Sequence, residues 1–128
     1  MSVDDLDWVN ARYACSVEEV FERLKAEVRE DVETREALRP RTEDHSHYAF
    51  RFRSGPRWFA AFMDGKNERG VQFRLERPRI VVTKADGSLF QEATVALDNE
   101  GRCVLKVGDT AYESWQFRKL VLEDLFFE

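Results

Sequence analysis

Two hydrophobic rhythms divide the chain. Val17, Val20, Phe21, Leu24 and Val28 recur at steps of three and four, while Glu18, Glu22, Arg23, Lys25, Glu27 and Arg29 fill the positions between them. A period near 3.6 gathers apolar side chains along one stripe, so the spacing predicts an amphipathic helix from about Val17 to about Thr34. Ser16 and Glu19 frame its start as a capping box, in which the hydroxyl accepts from the Glu19 N–H and the Glu19 carboxylate reaches back. From Tyr48 the period falls to two. Tyr48, Phe50 and Phe52 alternate with Ala49, Arg51 and Arg53, as a half-buried strand requires.

Turn chemistry spaces the strands that follow. Ser54-Gly55-Pro56 reverses the chain into a return strand, Arg57 to Met63, and a polar loop runs from Gly65 to Gly70. Val71, Phe73 and Leu75 alternate with polar residues until Arg77-Pro78, and a further strand covers Arg79 to Lys84. Asp86-Gly87 is a favoured hairpin pair leading into Ser88–Leu97. Asp98-Asn99-Glu100-Gly101 precedes Arg102–Val107, and Gly108-Asp109 permits a reversal into Thr110-Ala111-Tyr112. The C-terminal segment is helical again, with Ser114 as its expected N-cap. Trp115, Phe117, Leu120, Val121, Leu122, Leu125, Phe126 and Phe127 crowd it more than a single stripe needs. Leaving large apolar side chains in water costs about 1.5–3 kcal/mol each, so burial in the domain's own core is expected here.

The pattern defines one α+β domain over residues 1–128: a meander antiparallel sheet of six to seven strands, with an N-terminal and a C-terminal helix packed on one face. Trp8 to Cys15 fits two descriptions, because Val9, Ala11, Tyr13 and Cys15 alternate while Leu6, Val9 and Tyr13 match a helical turn. With a helix or coil there, the element order resembles the frataxin-like layout. With a strand, it resembles the helix-grip proteins of the START and Bet v 1 kind. The helix-grip resemblance implies a cavity for an apolar ligand between the C-terminal helix and the sheet, lined by Trp58, Phe62, Phe73, Trp115 and Phe117.

The composition supports a folded domain. The 128 residues are 43% hydrophobic and include ten Phe, enough for a core without staples. No stretch approaches the roughly 20 apolar residues that span a bilayer, and the acidic start Asp4-Asp5-Leu6-Asp7 lacks the apolar core of a signal peptide. Cys15 and Cys103 form no CxxC motif. They are expected to be reduced, buried thiols of a cytoplasmic protein.

The charge is unevenly spread. Of the net −5, residues 1–34 carry −6 and residues 80–128 carry −4, while residues 35–79 carry +5 and hold ten arginines. Arginine makes bidentate contacts with carboxylates and phosphates, so the middle of the chain is either an anion-facing surface or an ordinary solvated one. The first hairpin bears on this choice. A three-residue connection at Ser54-Gly55-Pro56 pairs Phe52 with Trp58, Phe50 with Ala60 and Tyr48 with Phe62, and it turns all six toward the core. The opposite face then carries His47, Ala49, Arg51, Arg53, Arg57, Phe59, Ala61 and Met63, with Arg74 adjacent. Arg, aromatic and Met residues are enriched at the centres of protein interfaces. The candidate binding set is therefore His47, Arg51, Arg53, Arg57, Phe59, Met63 and Arg74. A bulge that turned Phe59 inward would dissolve it.

Catalytic and cofactor motifs are not found. His45 and His47 share a strand face beside Asp44 and Glu43, but a transition-metal site wants three or four ligands. Ser46 lies between these histidines and points to the other face, and both cysteines lack a nucleophile signature. Gly65 to Gly70 does not match a phosphate loop, and Arg69-Gly70 is not followed by the aromatic pair of an RNA-recognition strand. No enzyme activity, metal or cofactor is expected, and neither nucleic acid nor a membrane is an expected partner. The expected function is a non-catalytic protein-binding or adaptor domain that uses the Arg/aromatic sheet face, with self-association as a homodimer included. The alternative is a helix-grip-type domain holding a small apolar ligand.

Overall fold

The computed structural model describes residues 6–39, 49–64 and 69–127. The ambiguous N-terminal segment is a helix, α1 (Trp8–Ala14), started by Asp7, whose carboxylate accepts from the Asn10 N–H at 3.3 Å. It buries none of its own residues, so local capping and not core packing selects helix over strand here. Helix α2 (Val17–Ala37) follows at once. The Ser16 hydroxyl accepts from the Glu19 N–H at 3.3 Å, as the capping box requires. The return half does not form, because the Ser16 N–H already donates to the Tyr13 carbonyl of α1 at 3.1 Å. α2 runs three residues past the expected end at Thr34, since Arg35, Glu36 and Ala37 contain no helix breaker.

Seven strands follow: β1 (Phe50–Gly55), β2 (Trp58–Met63), β3 (Arg69–Glu76), β4 (Arg79–Lys84), β5 (Leu89–Leu97), β6 (Cys103–Val107) and β7 (Thr110–Tyr112), and then α3 (Ser114–Phe127). They form one antiparallel sheet in chain order, a plain meander as the turn spacing predicts. Helices α2 and α3 pack on one face of it. Val20, Phe21, Leu24, Val28 and Val32 of α2 and Phe117, Val121, Leu122, Leu125 and Phe126 of α3 are buried against the sheet residues Phe50, Phe59, Ala61, Val71, Phe73, Ile80, Val82, Ala93 and Leu105. Phe59 sits at the centre, stacked on Phe73 at 4.5 Å between ring centroids and tilted against Phe21 at 5.0 Å. Phe117 closes the stack edge-on to Phe73 at 6.4 Å. Aromatic rings thus fill the centre of the layer between the helices and the sheet, while an open pocket of about 370 Å³ lies toward the β4–β5 turn, between Val121, Asp124 and Leu125 of α3 and Val71, Lys84 and Phe90 of the sheet.

Polar ties fix α3 to α2. The Ser114 hydroxyl is not a cap: Ser114 is the first helical residue, and its hydroxyl donates to Glu27 at 2.7 Å. Arg118, one turn on, donates to Asp31 at 2.7 Å. At the end of α3, Leu125 and Phe126 are buried as expected while Phe127 stays 70% exposed, with the Arg35 guanidinium 5.1 Å from its ring centre.

Two expectations are corrected. Cys15 and Cys103 are not free thiols. They form a disulfide, with Cα atoms 5.4 Å apart, that ties the α1–α2 junction to the start of β6. Neither neighbouring sequence announces this, because the residues lie 88 positions apart and meet only once the sheet has formed. The first hairpin also has a different register. Gly55 pairs with Trp58, so the connection is the two residues Pro56-Arg57 and Phe52 faces Ala61. Relative to the expected pairing, the shift is an odd number of residues, and an odd shift turns a whole strand over. Phe59 and Ala61 therefore point into the core, both 0% exposed, while Trp58, Ala60 and Phe62 point away from it. No helix is long and apolar enough to cross a membrane among the described residues.

Candidate binding face

The sheet surface opposite α2 and α3 is built by alternation. Along β1 it receives Arg51 and Arg53, along β2 Trp58, Ala60 and Phe62, and along β3 Gly70, Gln72 and Arg74. Cross-strand rows order these residues: Arg53, Ala60 and Gln72 lie in one row, Gly55, Trp58 and Arg74 in the next, and Arg51, Phe62 and Gly70 in a third. Helix α1 stands aside from this region, touching α2 and β5.

Small residues shape the face. The Trp58 indole lies across Gly55, where any Cβ would collide with it. A Cβ on Gly70 would stand 2.7 Å from the Phe62 Cβ and 2.9 Å from the Ala61 carbonyl. Gly70 and Ala60 thus leave a shallow depression of about 220 Å³, flanked by Trp58 and Phe62, with Arg53 and Lys84 at its rim. The Arg53 guanidinium lies 4.8 Å from the centre of the Phe62 ring, a cation–π contact that holds the charge over the face.

The electrostatics are one-sided. Arg51 has Asp64 at 3.7 Å, with both side chains well exposed, and water screens most of such a pair's energy. Farther along the sheet, Arg79 pairs with Glu92 at 3.1 Å. Arg53, Arg57 and Arg74 have no carboxylate within 4.0 Å among the described residues. Two of these, Arg53 and Arg74, lie on the open face with the half-buried Trp58 and Phe62, a surface suited to carboxylates and flat apolar groups together, and Arg57 is exposed in the turn beside it.

One carboxylate stands at the edge of this region. Glu36, near the end of α2, accepts from the Phe50 N–H at 2.9 Å and from Arg39 at 2.6 Å, joining the helix to the outer side of β1. The Arg39 hydrogen bond, aided by the Phe50 N–H and the charges of Arg39 and Arg51, holds the Glu36 carboxyl below the usual glutamate range against the opposing effect of burial.

The candidate residues fare differently. Arg51, Arg53 and Arg74 share the open face, and Arg57 is exposed in the adjoining turn. Phe59 is in the core, and Met63 also packs against the core, so neither belongs to the face. His47, with Tyr48 and the run from Glu43 to Ser46, lies outside the described residues, as do residues 65–68 of the polar loop. Trp58, Ala60 and Phe62 take the places along β2 expected for Phe59, Ala61 and Met63, and Gln72 of β3 stands beside Ala60. The signal for this was Gly55, which in extended backbone accommodates a large cross-strand neighbour. Of the five residues expected to line a ligand cavity, only Phe73 and Phe117 lie between helices and sheet; Trp58 and Phe62 face the other way, and Trp115 is 55% exposed. A comparison of the chain with protein-family models, curated proteins and solved structures found no match in any of the three.

Proposed function

We propose that this chain is a non-catalytic binding domain whose open sheet face docks a protein partner bearing acidic and apolar side chains. The observation that carries this reading is the grouping of Arg53 and Arg74, which have no carboxylate within 4.0 Å among the described residues, around the half-buried Trp58 and Phe62, with Arg57 exposed in the adjoining turn. A merely solvated sheet face has no need of two large aromatic rings, and isolated apolar residues do not gather unpaired cations. The core behind the face is filled, so the face can be rigid and its side chains pre-positioned.

The test is a panel of short peptides with acidic and aromatic residues, set against basic counterparts of equal hydrophobicity and followed by residue-resolved NMR. Acidic peptides are expected to shift the signals of Arg53, Trp58, Phe62 and Arg74 and to bind more weakly as salt rises. Trp58→Ala with Arg53→Glu is expected to abolish those shifts while the fold is kept. Shifts confined to α2 and α3, or no binding by the whole acidic set, would overturn the proposal. Sedimentation of the same double variant reports on self-association through this face.

The cytoplasmic location expected from the sequence rested in part on two reduced thiols. With Cys15 and Cys103 joined, that support is gone, and an oxidising compartment suits the molecule better.

A further inference from the structure

Among the described residues β1 is the edge of the sheet, with β2 its only neighbour. Its hydrogen-bonding phase follows from the Asp64 N–H, which donates to the Ala49 carbonyl at 2.9 Å. In an antiparallel pair the bonded residues alternate, so Arg51, Arg53 and Gly55 bond to β2 while Phe50, Phe52 and Ser54 direct their N–H and C=O groups outward. The first outward donor is taken, since Phe50 donates to the Glu36 carboxylate. Phe52 and Ser54 have no such partner among the described residues. β1 contains no proline and keeps an unbroken register with β2, so two common protections of a strand edge are missing.

The remaining protection is charge, and charge is selective. Arg51 and Arg53 are exposed on the open face, on either side of Phe52. A second copy pairing antiparallel through its own β1 must keep inner face with inner face. Centred on Phe52, that pairing sets Arg51 against Arg53; moved either way by one step, it sets Arg51 against Arg51 or Arg53 against Arg53. Like charges directly opposite each other destabilise a strand pair. An extended segment with acids at alternate positions meets the same two arginines with the opposite sign, and its intervening apolar residues fall beside Phe52.

Resting on the docking role proposed above, we infer that the β1 edge takes an extended acidic peptide segment as an eighth strand, with alternate carboxylates over Arg51 and Arg53 and apolar side chains on the helix-covered side. Main-chain bonds to Phe52 and Ser54 supply the attachment, and the arginines select the sequence. Glu36 already models the interaction, because a carboxylate oxygen of this chain occupies the first outward N–H of the edge.

The probe is a synthetic eight-residue peptide of alternating glutamate and valine, with three controls: alternating lysine and valine, a scrambled order with the glutamates adjacent, and the first peptide N-methylated at alternate backbone nitrogens. N-methylation leaves every side chain in place and removes the donors of an added strand. Binding of the glutamate–valine peptide is expected to weaken at least about tenfold on N-methylation or scrambling, equivalent to about 1.4 kcal/mol. The Phe52 and Ser54 amides are expected to become protected from hydrogen exchange in the complex, and Arg53→Glu to reverse the preference toward the lysine peptide. Equal binding of the N-methylated peptide, or no protection at Phe52 and Ser54, overturns strand addition and leaves docking on the open face standing. Failure of the glutamate–valine peptide while acidic–aromatic peptides still shift Trp58 and Phe62 has the same meaning. Failure of both sets overturns both proposals.

Discussion

Trp58 and Phe59 are neighbours in sequence, both aromatic, yet one helps form the open face and the other the centre of the core. Phe59 touches Phe73, Phe21 and Phe52, with ring centroids 4.5, 5.0 and 6.0 Å away, and has no exposed surface. Its truncation to alanine leaves a cavity among rings that cannot close in, and a loss of about 3–5 kcal/mol is expected in urea unfolding. Trp58→Ala removes a half-buried side chain from the other face, and its expected loss is about 1 kcal/mol or less. Similar losses for the two variants would contradict the face assignment. Glu36 offers a second residue-level test. Its carboxyl is held below the ordinary range chiefly by the Arg39 hydrogen bond, so the stability it contributes is complete above the usual glutamate pKa of about 4.3 and disappears as pH falls through the lower folded value. Glu36→Gln is expected to be less stable than the parent at pH 7, and the difference is expected to shrink as pH falls below the usual glutamate range. A constant difference across that range would show that the ionised form is not what matters.

Elements show how far periodicity alone reaches. The stripe of Val17, Val20, Phe21, Leu24 and Val28 specified α2, and turns at Asp86-Gly87 and Asp98–Gly101 marked reversals that the sheet contains. What periodicity could not supply was the register of β2. Its sequence, Trp58 to Met63, is apolar on both faces, so either orientation buries hydrophobic side chains, and the hairpin loop alone decides. Three of the named binding arginines consequently stand on the face expected of them, whereas Phe59 and Met63 do not. The disulfide was illegible for a different reason, being a contact made by tertiary structure. Between elements, Arg118 is the tie to test. It links α3 to α2 through Asp31 at 2.7 Å and lies 3.8 Å from Glu27. Arg118→Ala is expected to cost about 1–3 kcal/mol by thermal or urea unfolding, and Arg118→Lys less, since lysine keeps the charge but loses the planar fork. No change in either variant would mean that the apolar contacts of α3 suffice.

At the scale of the whole molecule, one covalent bond joins the α1–α2 junction to the start of β6. Cross-linking residues 88 apart removes many conformations from the unfolded chain, and the expected contribution is roughly 2–4 kcal/mol. Reduction, or Cys103→Ser, should lower the unfolding midpoint accordingly, and thiol titration of the unreduced, unfolded chain should find no free sulfhydryl. Two reactive thiols per chain in that assay would return the molecule to the reduced state first expected of it. The same bond encloses α2 and the first five strands within a ring of chain, which alters what a protease can accomplish. A single cut anywhere between Cys15 and Cys103 leaves both fragments attached, so nicked protein would run as one band on a denaturing gel and separate into two only after a reductant is added.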